Sequence, residues 1–74
     1  MELALRIAVD QKGRFGKPVI KGMRVPVDLI LGKLAGGMNY EEIMTEYDLT
    51  RDNIFAALDY AAKHLSDEEV RAIV

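Results

Sequence analysis

The sequence contains no cysteine and no tryptophan, and it has only one histidine and two prolines. Without cysteine, neither a disulfide framework nor a thiolate zinc site can stabilise the fold. No apolar run approaches the roughly 18 residues that a membrane-spanning helix needs. The first ten residues carry Glu2, Arg6 and Asp10, which is unlike a secretory signal peptide. We therefore expect a cytoplasmic protein with no place in a membrane.

The composition is that of one small globular domain. Of the 74 residues, 50% are apolar and 30% are charged, and the formal net charge is −2. A chain of roughly this size buries only about 60% of the surface that it exposes when unfolded, so its stability alone is marginal. We therefore expect a single domain over residues 1–74 that forms a homodimer.

The small net charge conceals two opposed halves. Residues 1–33 hold seven basic and three acidic side chains, a net charge of +4, whereas residues 34–74 hold three basic and nine acidic ones, a net charge of −6. This division favours two different partners or head-to-tail pairing. An uneven scatter of charge by chance is the alternative.

The N-terminal segment, residues 1–25, is predicted to contain β-structure. Apolar and other residues alternate through the first ten positions, which predicts one half-buried strand with an inward face made of Leu3, Leu5, Ile7 and Val9. After a loop, Val19 and Ile20 predict a second short extended segment, and Gly22 predicts a turn.

Helical periodicity begins directly afterwards. The first helix is predicted to begin with Pro26 at its first position and to end at Gly36 and Gly37. Its apolar stripe has helical spacing and consists of Val27, Ile30, Leu31, Leu34 and Ala35.

Capping signals predict two further helices and a tail. Asn39 and Glu42 form a capping-box pattern before a short helix over residues 40–47, and Thr50 caps a third helix that runs to about His64. The buried stripe of the third helix is predicted to be Ile54, Ala57, Leu58, Ala61, Ala62 and Leu65. Ser66 and Glu69 repeat the capping pattern, which predicts a helical tail over residues 66–74.

A short helix, a turn of about three residues and a longer helix, preceded by another helix, have the spacing of a helix-turn-helix core over residues 26–65. A plain three-helix bundle would have the same periodicity. The predicted fold is therefore mainly α, with a short N-terminal β element and a short C-terminal helix.

Two sets of residues are candidates for binding DNA. The basic N-terminal segment could neutralise phosphates, or it could simply keep a loop soluble; its side chains are Lys12, Arg14, Lys17, Lys21 and Arg24. The start of the third helix offers Thr50, Arg51 and Asn53. Arginine can pair with guanine and asparagine with adenine, although Asp52 beside them repels phosphates.

Several motifs in order resemble the small prokaryotic domain-of-unknown-function family 433. They are the run from Gly16 to Val27, then Leu34 to Gly37, Tyr40 to Ile43, Tyr47 to Thr50 and Ala56 to Ala61. The resemblance implies a homeodomain-like helix-turn-helix with an N-terminal β segment, acting as an antitoxin. It further implies that the antitoxin neutralises a PIN-fold nuclease toxin and represses its own operon. The chain has Met23 where the family usually has threonine.

The acidic half and the tail suggest a different class of function, a protein-interaction module that binds no DNA. Its tail would pack on a basic partner such as a nuclease, or it would cap the core of its own domain. The tail residues predicted to bind a partner are Glu68, Glu69, Val70, Ile73 and Val74.

An enzyme is not expected. The single histidine, His64, and the single serine, Ser66, lie at a helix end with no third group to orient a catalytic triad. The glycines fit no phosphate-binding motif. We therefore expect no catalytic residue, no metal site and no cofactor.

Overall fold

The computed structural model describes residues 2–9 and 16–66, with side chains described from Leu5 onward within those ranges. Three strands precede three helices. The elements in chain order are β1 (Glu2–Ala4), β2 (Ile7–Val9), β3 (Pro18–Ile20), α1 (Val27–Ala35), α2 (Tyr40–Tyr47) and α3 (Arg51–Ser66). The prediction of a mainly helical protein with a short N-terminal β element is confirmed. The predicted C-terminal tail lies outside the described residues.

The prediction of one continuous N-terminal strand is wrong. The chain reverses at Leu5 and Arg6, so that β1 and β2 form an antiparallel hairpin with a bulge, and β3 pairs with β2 on its other side. Arg6 has a φ of 67°, the left-handed conformation that a tight turn needs at its second central residue. Leu5 consequently lies at the tip of the turn with 78% of its surface exposed, whereas Ile7 is fully buried.

The chain passes from the sheet to the helices through a second tight turn. Gly22 has a φ of 82°, which confirms the predicted turn, and an isolated bridge joins Val19 to Pro26. Pro26 has an extended backbone and is the N-cap of α1. Pro26 was predicted at the first helical position, and it lies one residue before that position.

The helix boundaries agree closely with the capping signals. α2 covers the predicted residues, and α3 begins directly after Thr50 and ends two residues beyond the predicted His64. Two of the predicted apolar stripes extend too far, however. Ala35, Ala62 and Leu65 were predicted to face the core but are exposed. Each of these residues lies near the C-terminal end of its helix.

The described core contains residues from β2, β3 and all three helices. Five fully buried isoleucines each come from a different strand or helix: Ile7, Ile20, Ile30, Ile43 and Ile54. Among the described residues no charged or polar side chain is buried, so the fold is held by apolar packing. None of the described helices has the length and apolar character needed to cross a membrane.

Candidate nucleic-acid interface

The first turn of α3 is fixed by reciprocal hydrogen bonds between Thr50 and Asn53. The Asn53 backbone N–H donates to Thr50 Oγ1 at 3.1 Å, and the Thr50 backbone N–H donates to Asn53 Oδ1 at 2.9 Å. The Thr50 hydroxyl also lies 3.0 Å from Asn53 Oδ1. Reading adenine with both atoms of the Asn53 amide would require this cap to open. In the capped state the amide nitrogen is the atom that Asn53 can direct at a ligand.

Arg51 is held against α2. Its guanidinium group forms an ion pair with Glu41 and lies 5.3 Å from the centre of the Tyr40 ring. The other side of this cluster is Phe55, whose ring meets Tyr40 edge-on at 5.7 Å. To contact a guanine, Arg51 would have to exchange Glu41 for the base. The cluster therefore ties the start of α3 to the start of α2.

The pKa of Glu41 is changed by its position in this cluster. Hydrogen bonding to its own backbone N–H, followed by the hydrogen bond and charge of Arg51, lowers the pKa of Glu41 below its ordinary value of 4.5. Both effects favour the carboxylate over the carboxylic acid. The ion pair between α2 and α3 is consequently intact at neutral pH.

Arg6, Lys21 and Arg24 lie on two adjoining turns, which we call the basic corner. The Lys21 backbone N–H donates to the Arg6 carbonyl oxygen at 2.7 Å, so the two turns are in direct contact. Arg24 has a φ of 59° and its N–H donates to the Ile20 carbonyl oxygen at 3.2 Å, which closes the second turn. The Arg6 guanidinium lies 3.9 Å from the Asp52 carboxylate, so the basic corner adjoins the first turn of α3.

Lys17 lies apart from the basic corner, at the other end of β3. Its Nζ pairs with the Asp28 carboxylate of α1 at 3.1 Å. Lys21 follows four positions later along extended chain, which corresponds to about 13 Å. Lys12 and Arg14 lie outside the described residues. Of the five predicted phosphate contacts, the structure thus places Lys21 and Arg24 together.

The surface of α2 is acidic. Glu41, Glu42 and Glu46 are exposed along it, Asp48 follows at its end, and the helix contains no basic residue. In helix-turn-helix proteins the helix before the recognition helix crosses the DNA backbone, where these carboxylates would repel phosphates. The surface of α2 therefore disfavours a phosphate backbone, unlike the basic corner.

Two exposed apolar side chains beside the first turn of α3 were not among the predicted site residues. Leu5 and Phe55, which is 46% exposed, line a shallow groove with Arg6, Asp52, Ala56 and Asp59. Phe55 could have been found, since it lies four residues after Arg51 and so on the same helix face. Leu5 could not, because the alternating pattern places it on the inward face of a strand. Within the described part of the chain no group of histidine or acidic residues could hold a metal ion.

Comparison with known proteins identifies the family. The family model described as "Protein of unknown function (DUF433)" matches residues 7–61, which is most of the chain. The chain belongs to this family. The DUF433 match confirms the resemblance carried by the sequence motifs. No curated protein and no solved structure matches the chain significantly.

The DUF433 region includes most of the surface described above. It begins with the buried Ile7 and ends at Ala61 within α3, so it contains Lys21, Arg24 and the first turn of α3. Arg6 lies directly before it. The last turn of α3 and the residues that follow lie beyond the DUF433 match.

Proposed function

We propose that the protein is a DNA-binding regulator of the antitoxin type with a homeodomain-like helix-turn-helix. The observation that carries the proposal is the position of the basic corner beside the capped first turn of α3. Arg6 joins the two, through its carbonyl oxygen to Lys21 and through its guanidinium to Asp52. Positive charge beside a helix N-terminus favours phosphate binding.

In this proposal the two parts of the surface have different tasks. Lys21 and Arg24 bind phosphates, and Lys12, Arg14 and Lys17 extend the positive charge along the N-terminal segment. Thr50, Arg51 and Asn53 lie where a recognition helix contacts bases. Contacts to phosphates supply affinity and contacts to bases supply sequence preference.

The antitoxin role is an extension that rests on the family resemblance. A homodimer would repress its own operon and neutralise a nuclease of PIN-like fold. The acidic α2, with Glu41, Glu42 and Glu46, presents the charge that fits a basic nuclease groove. DNA and the toxin would then bind on different sides of α3.

DNA binding is tested by a mobility shift on the DNA upstream of the protein's own gene, at salt concentrations from about 50 to 200 mM. The variant carries Lys21→Gln and Arg24→Asn, because asparagine tolerates the left-handed backbone at position 24. The control, Lys33→Gln with Lys63→Gln, removes the same charge from α1 and α3. Log affinity falls linearly with log salt concentration. We expect the first variant to make this slope less steep by about two, and the control to leave it unchanged.

Two results of this experiment contradict the proposal. One is the absence of a shift with the wild-type protein at about 50 mM salt, where phosphate-driven binding is strong. The other is an equal loss of affinity in both double variants, which would mean that net charge alone matters.

A second candidate function is a protein-interaction module that binds no DNA. It is favoured by the acidic surface of α2 next to the exposed Phe55 and Leu5, since apolar groups beside one sign of charge are common in protein interfaces. Its predicted tail contacts, Glu68, Glu69, Val70, Ile73 and Val74, lie outside the described residues. Calorimetric titration with the product of the neighbouring gene tests it.

In that titration Glu46→Gln and Phe55→Ser should each weaken binding. Asp28→Asn, which removes an exposed carboxylate from α1, is the matched control and should have no effect. Binding that is unchanged by all three substitutions would exclude the α2 and α3 surface as the interface.

A further inference from the structure

The start of α3 brings Arg51 into close contact with α2. The Arg51 guanidinium donates a hydrogen bond to the Glu41 carboxylate and forms an ion pair with it. The same guanidinium lies 5.3 Å from the centre of the Tyr40 ring, and Phe55 packs edge-on against that ring. Arg51 is therefore held on α2 by hydrogen bonding, by charge and by contact with an aromatic ring.

Arg6, on the turn between β1 and β2, is held less closely. Its guanidinium nitrogen lies 3.9 Å from the Asp52 carboxylate oxygen, which is beyond hydrogen-bond distance. Arg51, in contrast, is hydrogen-bonded to a carboxylate that is charged at neutral pH, because the pKa of Glu41 lies below its ordinary value of 4.5. Arg51 and Glu41 together carry no net charge, so they attract phosphates less than a single arginine would.

We propose that Glu41 is a positioning residue that keeps Arg51 from phosphates and leaves it available to a guanine edge. This task rests on the proposed function, in which Arg51 contacts bases. A phosphate that took the place of Glu41 would lie close to the displaced carboxylate, and two negative charges repel each other. A guanine edge instead offers two neutral acceptors, O6 and N7, which match the guanidinium without this repulsion.

The exposure of the ion pair allows this exchange. The side chains of Arg51 and Glu41 are 45% and 69% exposed. Ion pairs at the surface are weak because water screens both charges, so a guanine can displace the carboxylate. Glu41 would thus lower the affinity for DNA of arbitrary sequence more than the affinity for a preferred site, and an unfavourable contact of this kind creates specificity.

Salt titrations of DNA binding test this task of Glu41. On a random-sequence duplex, from about 50 to 200 mM salt, Glu41→Gln should make the fall of log affinity with log salt steeper by about one, because Arg51 loses its counter-charge. Glu46→Gln is the matched control, since it removes the same charge from an exposed position on the same helix, and it should leave the slope unchanged. The preference for DNA upstream of the protein's own gene over the random-sequence duplex should fall in Glu41→Gln and not in the control.

Arg51→Gln completes a double-mutant cycle. Made alone, it should leave the slope on the random-sequence duplex unchanged, because the charge of Arg51 is already neutralised. Combined with Glu41→Gln, it should remove the additional steepness. On the upstream DNA, Arg51→Gln alone should weaken binding about tenfold, as expected for the loss of a guanine contact. Circular dichroism at the assay temperature checks that the compared variants are folded.

Three results would overturn this task of Glu41 while leaving DNA binding intact. One is an equal slope for Glu41→Gln and Glu46→Gln. Another is a slope that becomes less steep by about one in Arg51→Gln alone, which requires no variant of Glu41 and would mean that Arg51 binds a phosphate in the wild-type protein. The third is unchanged binding of Arg51→Gln to the upstream DNA. No shift of the wild-type protein on either DNA at about 50 mM salt would instead overturn the proposed function and this task with it.

Discussion

The two turns that form the basic corner contain three residues with a left-handed backbone. Arg6 and Arg24 both have a positive φ, and Gly22 between them has a φ of 82°. A residue with a side chain is strained in this conformation by about 1–2 kcal/mol, whereas glycine is not. Gly22 therefore adopts the left-handed conformation without strain, whereas Arg6 and Arg24 are strained in it.

Two glycine substitutions separate this conformational effect from an effect of space. A Cβ atom at Gly22 or at Gly32 would have no neighbour within 4 Å, but only Gly22 has a positive φ. We expect Gly22→Ala to lower the free energy of unfolding by about 1–2 kcal/mol. Gly32→Ala, in the middle of α1, should raise it by up to about 1 kcal/mol. Urea unfolding measures both, and a shift in the same direction for the two variants would refute the explanation.

The ion pair of Glu41 with Arg51 predicts a dependence on pH. Because the pKa of Glu41 is lowered in the folded protein, the unfolded state binds the additional proton as pH falls, and the stabilisation is lost below the ordinary value of 4.5. Glu41→Gln should therefore lower the Tm at pH 7, and the difference from wild type should shrink as the pH falls below 4.5. A difference between wild type and variant that stays the same from pH 7 to acid pH would show that the charge of Glu41 is not its cause.

At the scale of elements, the helices could be predicted from the sequence because local side chains determine where they begin. The Asn39 and Glu42 capping box and the Thr50 cap both form as their patterns indicate. The hairpin could not be predicted. Its turn at Leu5 and Arg6 has neither glycine nor asparagine to indicate it, and the alternation of apolar residues continues through it.

The candidate site, like the fold, could be predicted from the sequence only in part. Lys21, Arg24 and the first turn of α3 were predicted, because charge and capping are visible in the sequence. Their contact through Arg6 depends on the hairpin, and the ion pair of Lys17 with Asp28 depends on the packing of β3 on α1. Such contacts between distant segments have no local signal.

Thr50 links the stability of α3 to the candidate site. Thr50→Ala removes the oxygen that accepts the Asn53 N–H, and we expect a loss of about 1 kcal/mol in the free energy of unfolding. Thr50→Ser should restore most of it, because serine keeps the oxygen. Thr45→Ala, on the exposed surface of α2, is the matched control and should not destabilise the protein. Chemical denaturation of the three variants tests the cap, and equal losses at positions 45 and 50 would contradict it.

At the scale of the whole molecule, the described core is small and consists largely of one isoleucine from each packed element. Such a core gives limited stability, and no cysteine is available to supplement it. In the described sheet β1 is an edge strand, with β2 on one side only. An unpaired strand edge is a common site for pairing with a second chain.

We therefore predict a homodimer that pairs along β1, with the exposed Leu5 near the contact. Light scattering should give about twice the chain mass of 8.3 kDa at micromolar concentration, and the Tm should rise with protein concentration. Leu5→Ser should shift the equilibrium toward the monomer, whereas Leu65→Ser, an exposed leucine at the other end of α3, should not. A mass of one chain at every concentration would contradict the predicted dimer. The second half-site that a symmetric DNA regulator needs would be lost with it, because each chain carries one basic corner.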